Sequence, residues 1–220
     1  MTTLSHETIA LTQLPSPERL SDSGDWVEVF ARAKLPTRSG EFEIVVFRSS
    51  FDDKEHLALV RGDVAGSPEV PVRLHSECLT GDVLGSLRCD CREQLEMAME
   101  TLGQEERGIL LYMRQEGRGI GLGNKIRAYA LQERGFNTFE ANEHLGFDAD
   151  LRDYRVAALM LRMLGPKSIT LATNNPRKVL GLESHGVVVS GRSPLVAEEN
   201  PHNSAYLATK AKSGHMLPFD

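Results

Sequence analysis

Aromatic residues are scarce in this chain, at 6% of its 220 residues with a single Trp, so aliphatic side chains must fill most of any core. With 40% of residues hydrophobic there are enough of them to do so. Only three cysteines occur, Cys78, Cys89 and Cys91, and an odd number argues against a disulfide framework. No apolar run approaches the ~18 residues that a membrane-spanning helix needs. The first 25 residues lack the apolar stretch of a secretory signal and carry Glu7, Glu18, Asp22 and Asp25 against one Arg19, unlike a transit peptide. A cytoplasmic location without membrane contact is therefore expected. Positive charge is short as well. A net charge of -6 argues against a nucleic-acid binder, which is usually basic. A small polyanion stays possible, because it needs only a local basic cluster.

Residues 1–24 are rich in Ser, Thr and Pro and show no sustained periodicity, so they read as a flexible extension. No repeat, low-complexity tract or Pro/Gly/Ser linker divides the remainder, and 25–220 is expected to form one domain. Its first half is strand-rich. Val27, Val29 and Ala31 alternate with polar residues after Trp26, as do Phe42, Ile44 and Val46, then Leu57, Leu59 and Arg61, then Val70, Val72 and Leu74. Helices are predicted over 92–103, 122–134, 148–164 and 176–185, with strands at 108–112, 168–173 and 187–189. This order implies an α/β fold with an α+β tendency: a single domain whose mixed sheet is flanked by helices.

The cysteines have the spacing C-x10-C-x-C within 14 residues. Thiolates are soft ligands that suit zinc in a reducing compartment. Three protein ligands leave a fourth position for water, whose pKa a zinc ion lowers to about 7. Buried small hydrophobes, or a structural site closed by His75, would account for the same spacing. The second unusual segment is Gln115-Glu116-Gly117-Arg118-Gly119-Ile120-Gly121-Leu122-Gly123-Asn124-Lys125, between a predicted strand and a predicted helix. Its backbone amides could cradle phosphate. A flexible strand–helix turn is the plainer reading, and neither the dinucleotide-binding nor the Walker A pattern fits. Across 114–134, Arg114, Arg118, Lys125, Arg127 and Arg134 outnumber Glu116 and Glu133, which supplies the local basic cluster.

Together these segments resemble the GTP cyclohydrolase II family. Arg73-Leu74-His75-Ser76-Glu77-Cys78-Leu79-Thr80-Gly81-Asp82 looks like the family's R-V-H-S-E-C-L-T-G-D with Leu74 the one difference, and Leu87-Arg88-Cys89-Asp90-Cys91 is similar to its second cysteine segment. Arg114 to Arg118, Asn124 to Tyr129, Leu145 to Tyr154 and Thr173 to Lys178 follow in the family's order. The likeness covers roughly 30–215. The resemblance implies hydrolysis of GTP to formate, pyrophosphate and 2,5-diamino-6-(5-phospho-ribosylamino)pyrimidin-4-one, the first step of riboflavin synthesis. It implies one zinc per chain on Cys78, Cys89 and Cys91, and Mg²⁺ with the GTP phosphates. Nucleotide contacts would fall on Arg73, Leu74, His75, Ser76, Glu77, Gln94, Glu116, Gly117, Arg118, Thr138, Thr173 and Lys178. Catalytic positions would be Tyr129, Asp150 and Arg152, and the assembly a homodimer.

The family assignment makes Arg152 a nucleophile with Asp150 as its base. A guanidinium, with a pKa above about 12, suits a phosphate clamp better. Residues two apart on a helix also do not face each other, so the nucleophile role requires a non-helical turn at 150–152. Three other functions fit parts of the pattern: a family member that retains the formyl group, a non-catalytic zinc-bearing nucleotide sensor, and one half of a riboflavin-pathway fusion. Tyr129 argues against the first, the intact catalytic positions against the second, and the 72 residues before Arg73 against the third.

Overall fold

The computed structural model describes residues 18–136, 138–147, 151–212 and 214–216. In chain order the strands are β1 (Arg19–Asp22), β2 (Asp25–Thr37), β3 (Gly40–Ser49), β4 (His56–Arg61), β5 (Val70–Ser76), β6 (Gly108–Met113), β7 (Ile169–Ala172) and β8 (Val189–Ser193). The helices are α1 (Cys91–Gln104), α2 (Gly121–Gln132), α3 (Thr138–His144), α4 (Arg155–Leu164), α5 (Pro176–Glu183) and α6 (Ser204–Lys212). The strands form one sheet in the order β1-β2-β3-β4-β6-β5-β7-β8. The first four run antiparallel, β4 meets β6 antiparallel, and β6, β5, β7 and β8 are parallel. The expected mixed α/β architecture with a strand-rich first half is the observed one.

The alternation in the sequence sets which residues the sheet buries. One face carries Val27, Val45, Phe47, Val72, Leu74 and Leu111 and packs on α4 and α5. The other face carries Phe42, Leu59 and Leu110 and packs on Ala98 and Leu102 of α1. Helix α4 is buried without interruption from Val156 to Leu161 and ends at Gly165, whose φ of 80° gives a left-handed cap. Helix α5 starts at Asn175, whose side chain accepts from the Arg177 amide, with Pro176 in the first turn.

Several boundaries differ from the sequence expectation. The expected extension 1–24 gives up its last residues to the sheet. Arg19–Asp22 pair with β2 through a two-residue turn at Ser23 and Gly24, both at positive φ (51° and 94°), and Arg19 covers the Trp26 ring at 4.1 Å. The helix expected over 148–164 begins only at Arg155. Leu151–Asp153 are non-helical, because the Asp153 carboxylate caps the Arg155 amide at 2.8 Å and Leu151 N–H donates to the Arg118 carbonyl at 3.1 Å. The last strand lies at Val189–Ser193 rather than 187–189, in register with β7. Helices α3 and α6 lie in stretches where the sequence expectation placed no element.

Candidate active site and metal centre

The carboxyl ends of β5, β6 and β7 open into a cavity of about 410 Å³, the usual place for a ligand in a parallel sheet. Strand β5 delivers Arg73, His75 and Ser76 to its wall and runs straight on into Glu77 and Cys78. A π turn over Leu79–Val83 then folds the chain back, so that Cys89 and Cys91 return to Cys78 at the start of α1. The three sulfurs lie within 4.8 Å of one another, and Cys78 Sγ is 3.7 Å from Cys89 Sγ. Two thiolates bound to one tetrahedral zinc at ~2.3 Å each stand about 3.8 Å apart, so the donor set fits that ion. Gly81 makes the cluster possible: a Cβ there would sit 2.9 Å from Cys89 Sγ and 3.2 Å from Cys78 Sγ.

The loop around the thiols is held by two carboxylates. Asp82 accepts from the Cys78 amide at 3.0 Å and from the Tyr112 hydroxyl at 2.8 Å, and His75 Nε2 lies 3.1 Å from both of its oxygens. A carboxylate only accepts, so Nε2 carries the hydrogen. Burial lowers the His75 pKa, and the ring is neutral, stacked on Tyr112. Glu116 accepts from the Leu79 amide at 2.7 Å and from the Gly117 amide at 2.8 Å. It also pairs with Lys125 at 2.8 Å, and Lys125 Nζ donates to Cys78 Sγ at 3.0 Å. Hydrogen bonds from Cys89, Cys91 and Lys125 outweigh burial and push the Cys78 thiol far down, to a thiolate at neutral pH. Sharing that charge raises Cys89 to about 11 and raises Cys91 as well.

The rest of the wall is cationic. Arg73 is 5% exposed, donates to the Ala172 carbonyl at 2.9 Å and Gln94 Oε1 at 2.6 Å, and is lowered by burial only to about 10. Lys178, 6% exposed, donates to the Leu74 carbonyl at 2.7 Å. Burial, then Arg73, Arg152 and Lys210, drive its pKa well down. Repulsion among these groups is relieved by an anion. Gly117 and Arg118 both adopt left-handed backbone (φ 62° and 60°), which turns the chain from β6 toward α2 and leaves both residues on the cavity wall. Tyr129 of α2 also lines it, under the Arg88 guanidinium at 4.8 Å, and burial raises its hydroxyl pKa.

All the expected site residues line this cavity except three. Leu74 has its side chain in the core and contributes its carbonyl to Lys178. Thr138 opens α3, but its side chain falls outside the described residues, as does Asp150 altogether. Arg152 sits in the non-helical stretch before α4, beside the Tyr154 ring at 5.9 Å. Sequence reasoning missed the roles of Asp82 and Lys125, although both stand inside recognised segments. It also missed His202, Tyr206, Lys210 and His215 of the C-terminal region, which line the same cavity and belong to no quoted motif.

The sequence profile of GTP cyclohydrolase II matches residues 28–194, most of the chain and all of the metal loop. The chain belongs to the GTP cyclohydrolase II family. It is an enzyme of that family, and curated relatives agree. GTP cyclohydrolase-2 of Aeromonas hydrophila is 56% identical over 192 residues, which is 87% of this chain and 98% of that protein. The riboflavin biosynthesis protein RibBA of a Synechocystis strain is 54% identical over 187 residues, 84% of this chain but 34% of the longer protein. This chain thus spans about a third of the length of that relative. Among solved structures, a two-domain 3,4-dihydroxy-2-butanone 4-phosphate synthase from A. baumannii, RibBX, overlaps 78% of this chain and 40% of its own at 20% identity and TM-score 0.45, a likeness too loose to support any argument.

Proposed function

We propose that this protein is a zinc-dependent GTP cyclohydrolase that opens the guanine imidazole ring at C8 and releases formate and pyrophosphate, at the entry to riboflavin synthesis. The observation that carries the proposal is one cavity bearing both a three-thiol cluster and a wall of cationic side chains, with Arg73 and Lys178 buried among them. GTP joins a purine to a polyanion, and the two halves of the wall suit its two halves. A zinc ion on Cys78, Cys89 and Cys91 would supply Lewis acidity and an activated water.

The chain's own groups do the rest. His75 Nδ1, Ser76 Oγ and Arg73 Nε are buried without a hydrogen-bond partner among the described residues, and each is available to the nucleotide. Glu116 and Asp82 keep the thiol loop in place. Tyr129 holds a neutral hydroxyl at the thiol side of the cavity, fit to hand a proton to a leaving nitrogen. Arg118, Arg152 and Lys178 would hold the phosphates as pyrophosphate departs, and Mg²⁺ when bound would supply further charge neutralisation. A non-helical backbone at 151–153 lifts the helix-spacing objection to Arg152 as a nucleophile, and the high pKa of a guanidinium is what favours a phosphate clamp there. The family reading also makes the molecule a cytoplasmic homodimer and its folded part a single domain.

Incubating zinc-loaded protein with GTP and Mg²⁺ and identifying every product tests the proposal. Formate and pyrophosphate in equal amounts are expected. Pyrophosphate with a formyl-bearing product would point to the formyl-retaining reaction, and binding without turnover to a sensor. Replacing Cys89 by Ser should remove the zinc and ring opening together while most of the fold remains.

A further inference from the structure

Helix α6 and the residues after it lie beyond the stretch matched by the family profile, yet they form part of the cavity wall. The C-terminal region is attached at several points. Leu207 is 3% exposed, and the Met216 amide donates to the Asn174 carbonyl at 2.8 Å. Asn174 itself is locked to Leu195 by two side-chain hydrogen bonds, at 2.6 and 3.1 Å. The attachment nearest the chemistry is an ion pair: Lys210 Nζ donates to Asp90 Oδ1 at 2.5 Å. Asp90 is 1% exposed and Lys210 8%, so the pair is removed from water and from salt screening.

Asp90 stands between two of the thiols, Cys89 and Cys91, and its second oxygen faces the other way. Asp90 Oδ2 accepts from Gln94 Nε2 at 2.5 Å, and Gln94 Oε1 accepts from Arg73 Nη2 at 2.6 Å. The chain Lys210–Asp90–Gln94–Arg73 therefore runs from the C-terminal helix to a cation of the nucleotide pocket. Each link also fixes the orientation of the next. An amide whose nitrogen is held by a carboxylate must present its oxygen to the guanidinium, and the guanidinium is fixed from the other side by the Ala172 carbonyl. Without Lys210 the Asp90 carboxylate would lose the cation bonded to it and keep only the longer-range attraction of Arg73, so its hold on Gln94 would be less fixed.

We propose that Lys210 is a positioning residue for the reaction, which docks α6 as a wall of the cavity and, through Asp90 and Gln94, holds Arg73 in its nucleotide-binding pose. The inference rests on GTP being the substrate only for its kinetic consequence. The docking of α6 is a property of the free protein.

Two measurements on Lys210→Met, with Lys210→Arg beside it, test this. Hydrogen exchange in the absence of nucleotide should reveal lost protection across 204–212 in Lys210→Met, while α1 and the central strands keep theirs. Steady-state kinetics should give a rise in KM for GTP of about tenfold or more with a smaller change in kcat, since Arg73 is displaced rather than the reacting centre. Zinc content should stay at the wild-type value. Lys210→Arg keeps a cation for Asp90 and should restore protection and bring KM to within about threefold of wild type. Unchanged α6 protection in Lys210→Met would overturn the inference, as would failure of Lys210→Arg to rescue, or equal falls in zinc content and kcat at constant KM. Absence of GTP turnover in the wild type would sink the functional reading by itself, and the exchange result would still decide the docking.

Discussion

Lys125 Nζ lies 3.0 Å from Cys78 Sγ, across 47 residues of sequence, and its other partner at 2.8 Å is Glu116. An ammonium in that place stabilises a thiolate. Metal-free protein should therefore show thiolate ultraviolet absorbance at neutral pH, and Lys125→Met should diminish it by moving the Cys78 pKa upward. The substitution also takes the cation from Glu116, whose side chain is 9% exposed, and should lower stability by about 3 kcal/mol. Chemical denaturation and a pH titration of the absorbance check the two effects separately. Wild-type absorbance in the variant would mean that hydrogen bonds among the three sulfurs are sufficient.

Gly81 leads to a sharper steric expectation. Its missing side chain is the space between Cys89 Sγ at 2.9 Å, Cys91 Cβ at 3.1 Å and Cys78 Sγ at 3.2 Å. Gly81→Ala should spread the thiols, cost about 1–3 kcal/mol and weaken zinc binding, with no ligand removed. Competition with a chromogenic chelator measures the affinity. Wild-type affinity would show that the π turn yields without moving the sulfurs.

How much of this was legible beforehand differs between the parts of the molecule. The thiol cluster and the wall from β5 to Glu77 could be read because they are contiguous in sequence, and a strand running into a ligand loop keeps them together. The alternating runs at 42–46, 57–61 and 70–74 gave the sheet for the same local reason. The helix expected over 148–164 extends too far at its start: of the described residues, 151–154 lie outside α4. Its apolar stripe continues back to Leu151, whereas the Asp153 cap and the hydrogen bond from Leu151 to Arg118 end the helix earlier. The hairpin at Arg19–Asp22 rests on the Ser23-Gly24 turn and on Arg19 against Trp26, signals shorter than any periodicity window. The link from Lys210 to Asp90 spans 120 residues, and no local pattern foretells a pairing at that distance.

His56 should give the fold part of its sensitivity to acid. Its ring is fully buried, Nδ1 accepts from the Arg114 amide at 3.1 Å, and Nε2 lies 3.3 Å from Asp52 Oδ1. A proton on Nδ1 would face that amide hydrogen. Burial lowers the folded pKa below the ordinary 6.5 despite the attraction of Asp52. The unfolded chain then binds the proton first, so stability is full above 6.5 and is lost as pH falls below it, with a slope of up to about 1.4 kcal/mol per pH unit for one proton. His75 and His215 shift in the same direction, the latter to about 4, so the wild-type loss is a sum. His56→Gln keeps an acceptor for the Arg114 amide and removes one titration. Urea melts between pH 7 and 5 should show a shallower decline in the variant, and an identical slope would assign the acid sensitivity elsewhere.

Tyr129 decides between packing and proton transfer at the thiol side of the cavity. Its ring is held by Arg88 at 4.8 Å and Lys125 at 5.9 Å, and its hydroxyl is beside Thr80, the second residue of the loop after Cys78. Tyr129→Phe keeps the ring and both cation contacts and deletes only the oxygen. A packing role leaves the rates almost unchanged, because deleting one hydroxyl costs about 1 kcal/mol of stability at most and touches no metal ligand. A proton-transfer role costs roughly 10²–10⁴-fold in the affected step. The expected outcome is a loss in formate release of that order, with zinc content unaltered because the thiols are untouched and pyrophosphate release reduced less, since the phosphate cations are intact. A formate time course beside a bound-zinc assay measures it, and wild-type formate release would return Tyr129 to the wall of the cavity as a packing residue.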